Sequence, residues 1–157
     1  MEEVELNIEK RRAELERECN NRKIDLTALG LDDLDALTVA ISIFNREEPI
    51  DALYLGSNSI GDEGMEAISN SLPKHPELQH LYIGSNQFRD AGTAALCNAL
   101  SDLTNLVTLS IGGAQLDDGQ CTNLASALMA MQTSRPTFLY LNSNCISDDG
   151  LLSLVYG

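Results

Sequence analysis

The chain carries nearly the same phrase twice, twenty-eight residues apart. Leu53–Gly64 reads LYLGSNSIGDEG, and Leu81–Gly92 reads LYIGSNQFRDAG. Recurrence at a fixed interval limits the fold severely. Whatever local structure the first string takes, the second takes too. A repeated unit buries its apolar face only against its neighbours, so the units must stack along one axis.

Aligning the paired apolar positions extends the repeat to five units. The pairs are Ile24/Leu26, Leu53/Leu55, Leu81/Ile83, Leu109/Ile111 and Leu139/Leu141, at intervals of 29, 28, 28 and 30 residues. The units fall near 24–49, 50–77, 78–105, 106–135 and 136–157, and residues 1–23 stand outside them. Leu81-Tyr82-Ile83 alternates with a period of two, which predicts a short strand with one face inward. Asn86 follows three residues after Ile83, where the chain must turn. Its amide both accepts and donates, so one side chain can satisfy the backbone of that turn. Stacking places Asn58, Asn86 and Asn144 on one structural ladder. A helix comes next: Leu96 and Leu100 lie four apart in TAALCNAL, as Ile68 and Leu72 do in GMEAISNSL.

One aspartate recurs in every unit: Asp33, Asp62, Asp90, Asp118 and Asp148. Each stands just before a helical run, where a carboxylate caps orphan amides and complements the positive helix end. The DDG strings at 117–119 and 148–150 lack the alternating acidic spacing of a calcium loop, so they are taken as caps and no metal is assigned.

The strings IDALYLGSNSI (Ile50–Ile60) and LQHLYIGSNQF (Leu78–Phe88) fit L-x-x-L-x-L-x-x-N-x-L. Residues 24 to the end therefore resemble a leucine-rich repeat array. Units of this length with a full helix are similar to the ribonuclease-inhibitor-like class. That class includes ribonuclease inhibitor, Ran GTPase-activating proteins, the sensor regions of NOD-like receptors and tropomodulins. The resemblance implies an α/β solenoid of five repeats, a right-handed horseshoe with a parallel sheet on the concave side and helices on the convex side. It also implies protein recognition by the concave face or its rims. The pattern is broken in places. Leu29 and Ala114 stand at the asparagine position, Gln120 replaces a glycine, and Pro136 replaces the first leucine of the last unit. The insert MAMQTSRPTF, 129–138, is two residues longer than its counterparts and predicts a bulging loop.

The residue between each apolar pair points to the concave face. These residues are Asp25, Tyr54, Tyr82, Ser110 and Tyr140, and the preceding outward set is Lys23, Ala52, His80, Thr108 and Phe138. Three of the four tyrosines lie on this stripe. Tyrosine is favoured at binding hot spots, although aromatic residues also pack across strands for their own sake. The candidate partner surface is Tyr54, Tyr82 and Tyr140 with His80, Ser110 and Phe138. No acid or nucleophile is patterned with His80, which makes it a rim contact.

Charge narrows the partner. Residues 1–23 hold seven acids and six bases, whereas 24–157 hold seventeen acids and four bases, giving −13 of the chain's −14. Such a body repels phosphate backbones and attracts a basic protein surface. No nucleophile elbow, phosphate loop or metal spacing is present, so no catalytic residue or cofactor is assigned. A regulator of a small GTPase, like the Ran GTPase-activating proteins, is the alternative from another class. A structural subunit of a large assembly is a third. No apolar run reaches the roughly twenty residues of a membrane helix, and the acidic start lacks a signal-peptide core. Cys19, Cys97, Cys121 and Cys145 form no CxxC pair and fit reduced thiols in a cytoplasmic protein.

The ends differ from the middle. Residues 2–22 are rich in helix formers, with Val4, Ile8, Leu15 and Cys19 on one side and Arg11 or Arg12 filling the gap. They predict a charged helix that caps the first repeat. At the other end Leu152, Leu154 and Val155 make an apolar last turn. That turn is the expected docking point for a second copy or a larger subunit.

Overall fold

The computed structural model describes residues 2–131 and 135–156, with side chains from residue 5 onward. Five three-residue strands alternate with helices. In chain order they are α1 (Glu2–Glu18), β1 (Lys23–Asp25), α2 (Asp33–Asn45), β2 (Ala52–Tyr54), α3 (Asp62–Ser71), β3 (His80–Tyr82), α4 (Asp90–Leu100), β4 (Thr108–Ser110), α5 (Asp118–Ala130), β5 (Phe138–Tyr140) and α6 (Asp148–Tyr156). A single 3₁₀ turn, Leu72–Lys74, extends α3. The strands form one parallel sheet in sequence order. Ile24, Leu53, Leu81, Leu109 and Leu139 stand in register across it. The expected loop at 129–138 falls partly on residues 132–134, which lie outside those described.

A three-residue strand is too short to hold its own register, so the core does it. Ile24, Leu53, Leu81 and Leu109 are fully buried, as are Leu26, Leu55 and Ile111 just beyond the strands. Helix residues Val39, Ile43, Ile68, Leu96 and Leu124 close the core from the other side. In the last repeat Leu139, Leu141, Ile146 and Leu154 are only partly buried against the core.

After each strand the chain turns through a residue of positive φ: Ala28, Ser57, Ser85, Gly113 and Ser143, at 57°, 59°, 55°, 69° and 58°. The asparagines hold these turns across repeats. Asn58 Nδ2 donates to the Leu26 and Leu55 carbonyls, and its Oδ1 accepts from the Leu29 and Leu31 amides, all within 2.8–3.0 Å. Asn86 donates to Leu55 and Ile83 and accepts from Ile60. Asn144 donates to Ile111 and Leu141 and accepts from Ala114 and Leu116. Each asparagine therefore serves the preceding repeat as well as its own. Repeats one and four lack the residue but receive it from the repeat that follows. Both bend a second time, at Gly30 and Gln115, where φ is again positive.

The aspartates work between repeats too, which corrects the expectation that each caps its own helix. Asp33 Oδ1 accepts from the Gly61 and Gly64 amides at the start of α3. Asp62 Oδ1 accepts from Arg89 and Gly92 at the start of α4. Asp118 accepts from the Ser147 amide at 2.7 Å and its hydroxyl at 2.6 Å at the start of α6. These bonds hold the Asp118 carboxyl below the usual carboxylate range. The approach requires glycine, because a Cβ on Gly64 or Gly92 would meet that carboxylate oxygen at 2.6 or 2.9 Å. Gln120 breaks the rule, and α5 is capped from within. Asp117 accepts from the Gln120 amide and Gln120 Oε1 from the Asp117 amide. Helix α2 has no repeat before it and uses the same device with Asp32 and Asp35. Asp90 and Asp148 cap no helix among the described residues.

These substitutions coincide at one junction. Between repeats three and four there is no asparagine at 114 and no aspartate cap from Asp90. Elsewhere a turn amide donates to the repeat before it: Ser59 to Leu31, Gln87 to Ile60 and Cys145 to Leu116, each at 2.8 Å. Among the described residues no such bond joins Gln115 to Phe88. A side-chain bridge, Arg89 Nη2 to Gln115 Oε1 at 2.7 Å, spans the gap.

Among the described side chains, helix α1 grips the first repeat through its second half. Leu15 and the following Cys19 are buried. Arg11 makes a two-pronged bond to Asp35 at 2.7–3.0 Å and reaches the Leu29 and Gly30 carbonyls. From the other side Arg46 donates to the Cys19 and Asn21 carbonyls. Leu6 and Ile8 are 64% and 56% exposed, so Ile8 is not part of the packed face. The side chain of Val4 lies outside the described residues.

Candidate protein-binding surface

The concave face is built by strand residues that point away from the core. Along the sheet the central row runs Asp25, Tyr54, Tyr82, Ser110 and Tyr140. Tyr54 and Tyr82 are half-buried and stacked, with ring centroids 4.9 Å apart and planes 20° from parallel. In-register parallel strands favour this, since they hold neighbouring side chains about 4.8 Å apart along the sheet. Ser110 interrupts the row, so Tyr140 stands two strands beyond Tyr82 and is 47% exposed. The second row runs Lys23, Ala52, His80, Thr108 and Phe138. His80 Nδ1 shares a 3.1 Å hydrogen bond with the buried Thr108 hydroxyl, and Phe138 is 52% exposed. Beyond the strands Gly56, Gly84 and Gly112 leave a bare backbone shoulder. A Cβ on Gly84 would collide with the Gly112 carbonyl.

The sequence-named residues thus divide. Tyr54, Tyr82, His80 and Ser110 share one continuous patch. Tyr140 and Phe138 make a second, more open patch on β5. At the end of the array Leu152 and Val155 are 48% and 66% exposed, whereas Leu154 packs against the core. Leu154 therefore differs from its expected place on an exposed docking patch, because α6 turns that side inward. No helix is long and apolar enough to cross a membrane among the described residues.

Sequence reasoning missed one surface. Leu34, Leu37, Ile41 and Phe44 lie exposed on the outer side of α2. The signal was available: in LDALTVAISIF only Asp35, Thr38 and Ser42 are polar, and the apolar arc is wider than one buried face needs.

The Leucine Rich repeat family model matches residues 51–69, 74–97 and 137–155. The fold is a leucine-rich repeat solenoid. The three matches fall on repeats two, three and five, which carry Asn58, Asn86 and Asn144. Repeats one and four, with Leu29 and Ala114 at that place, are not matched. The solenoid also matches the crystal structure of an internalin from Listeria monocytogenes, at 24% identity and a TM-score of 0.42. The match covers 75% of this chain and 35% of the internalin, so the solenoid spans about a third of that chain's length. The comparison with curated proteins gives no match.

Leucine-rich repeat solenoids in general bind proteins, and the geometry here suits that use. A rigid sheet presents side chains from five adjacent strands at fixed spacing, so little ordering entropy is lost on contact.

Proposed function

We propose that the solenoid is a non-enzymatic protein-recognition module that takes its partner on the concave face. The stacked Tyr54–Tyr82 pair carries this reading. It offers large, pre-ordered aromatic area with hydroxyl tips, in line with Ser110 and Tyr140 and beside the row of His80 and Phe138. Stacking fixes both rings before any partner arrives, which lowers the cost of binding. The acidic body favours a basic partner. The interval of 28–30 residues and a full helix per repeat support the ribonuclease-inhibitor-like class. The free cysteines support an intracellular setting.

With a purified partner in hand, Tyr82→Ala should lose at least about 1 kcal/mol of binding, roughly fivefold or more, with the fold intact. Convex-side changes at Asn98, to Ala or to Lys, should leave binding within twofold. If they weaken it more than Tyr82→Ala does, the concave reading fails. Stimulation of Ran GTP hydrolysis by the chain would instead favour the GTPase regulator.

The end of the array favours a second reading, a scaffold or oligomer contact. Leu152 and Val155 expose apolar area on α6. Leu152→Glu with Val155→Glu should abolish concentration-dependent association in sedimentation. A wild-type chain that stays monomeric at ~100 μM, where even weak self-contacts show, removes this reading.

A further inference from the structure

Helix α2 carries a surface that the solenoid does not use. Its inner side, Ala36, Val39, Ala40 and Ile43, is buried in the core. Its outer side repeats large apolar residues at steps of three, four and three. Leu34, Leu37, Ile41 and Phe44 are 65%, 44%, 46% and 49% exposed. That spacing aligns them in one stripe about 15 Å long. The corresponding places on the next two repeats carry polar or small side chains. They are Glu63, Glu66, Asn70 and Pro73, then Ala91, Ala94, Asn98 and Ser101. On α5 Met129 alone is large. The α2 stripe is therefore not a property of the repeat.

The stripe borders a groove. Leu37, Ile41 and Phe44 line it from α2, and Ala67 and Asn70 line it from α3; it is shallow and open, with a volume of about 280 Å³. The surroundings are acidic. Asp33 stands in the first turn of α2, Glu63 and Glu66 on the facing helix, and Glu47 and Glu48 just past the last turn. Of the nearby bases only Arg11 is neutralised by a carboxylate; Arg46 and Lys74 keep their charge and are outnumbered by Asp33, Glu47, Glu48, Glu63 and Glu66. Arg11 is bound to Asp35, Arg46 to two carbonyls, and the Lys74 ammonium sits 4.6 Å from the centre of the Phe44 ring.

We propose that this face docks a basic amphipathic helix of a protein partner. The partner's apolar side would lie along Leu34–Phe44 and its lysines or arginines would face Glu63, Glu66 and Glu47. A helix-in-groove contact needs anchors at i, i+3, i+7 and so on, and the stripe supplies the matching row. The same acids oppose an anionic membrane surface, so charge selects protein over lipid. This surface lies on the opposite side of the solenoid from the tyrosine stripe and stands or falls independently of it.

The test uses two labelled 18-residue peptides with one shared leucine stripe. The polar side of the first is lysine and arginine, and that of the second is glutamate. Fluorescence anisotropy against the full chain should show the basic peptide binding and the acidic one not. Leu37→Ser with Ile41→Ser should weaken the basic peptide at least tenfold, while Tyr82→Ala leaves it unchanged. Glu63→Lys with Glu66→Lys leaves the apolar stripe intact and should weaken it to a similar degree, which keeps the test decisive if the serine variant folds poorly. Equal binding of both peptides, or binding indifferent to both variant pairs, overturns the proposal. So does co-sedimentation with phosphatidylserine vesicles, or a self-dimer that the serine variant dissolves.

Discussion

Asn86 ties two repeats together with one amide. Its three main bonds reach Leu55, Ile60 and Ile83, all buried backbone. Asn86→Ala should cost about 1–3 kcal/mol in chemical denaturation, the penalty for orphaning buried polar groups. Asp118 offers a second check, through pH. Its carboxyl is held low by the Ser147 hydroxyl and amide and the Gly150 amide. A depressed carboxylate stabilises the fold above the unfolded-state range and loses that contribution as pH falls through the folded value. Asp118→Asn should therefore be less stable than wild type at pH 7. The difference should shrink as pH drops below about 4, the unperturbed aspartate range, when followed by denaturant midpoint. Residue roles were only half legible in the sequence. Recurrence marked Asn58, Asn86 and Asp33 as structural. It did not reveal that each serves a neighbour about 28 residues away, because local pattern rules compare positions within one turn or strand.

At the scale of elements, α1 shows what patterning leaves open. Its composition predicted a helix, and a helix is there, yet among the described side chains the grip on the first repeat comes from Arg11, Leu15 and the following Cys19. Leu15→Ala should cost about 2–4 kcal/mol, as deletion of a buried leucine does. Leu6→Ala should stay within about 0.5 kcal/mol, the ordinary range for an exposed site. Equal losses in a denaturation series would mean that the whole helix is docked. Thiol labelling gives a parallel readout. Burial pushes the Cys19 thiol up to about 12 and Cys97 up to about 11, while Cys145 is exposed. Iodoacetamide at neutral pH should modify Cys145 first and Cys19 only on unfolding. Strands and core were the most legible elements, since Leu and Ile at a period of two can face only inward. The second turns at Gly30 and Gln115 were not, because they arise in the two repeats that lack an asparagine of their own, a backbone change that no residue type announces.

For the whole molecule, the asparagine, aspartate and turn bonds between repeats recur at every junction except that between repeats three and four. The asparagine, the aspartate cap and one turn hydrogen bond are all absent from that junction. The sheet pairing of β3 with β4 and the Arg89–Gln115 bridge remain. The Phe88 amide occupies the place that Leu31, Ile60 and Leu116 fill, yet it meets no asparagine oxygen. Hydrogen exchange at Phe88 should be at least about tenfold faster than at Ile60, a difference of 1.4 kcal/mol in local opening. Ala114→Asn should slow it and be neutral or stabilising overall. No difference between the two amides would show that the sheet alone holds the junction. A stack of repeats coupled only to nearest neighbours behaves like a chain of links under tension. Pulled from its ends, this one should part first between Phe88 and Gln115, yielding as a three-repeat block and a two-repeat block rather than unravelling one repeat at a time.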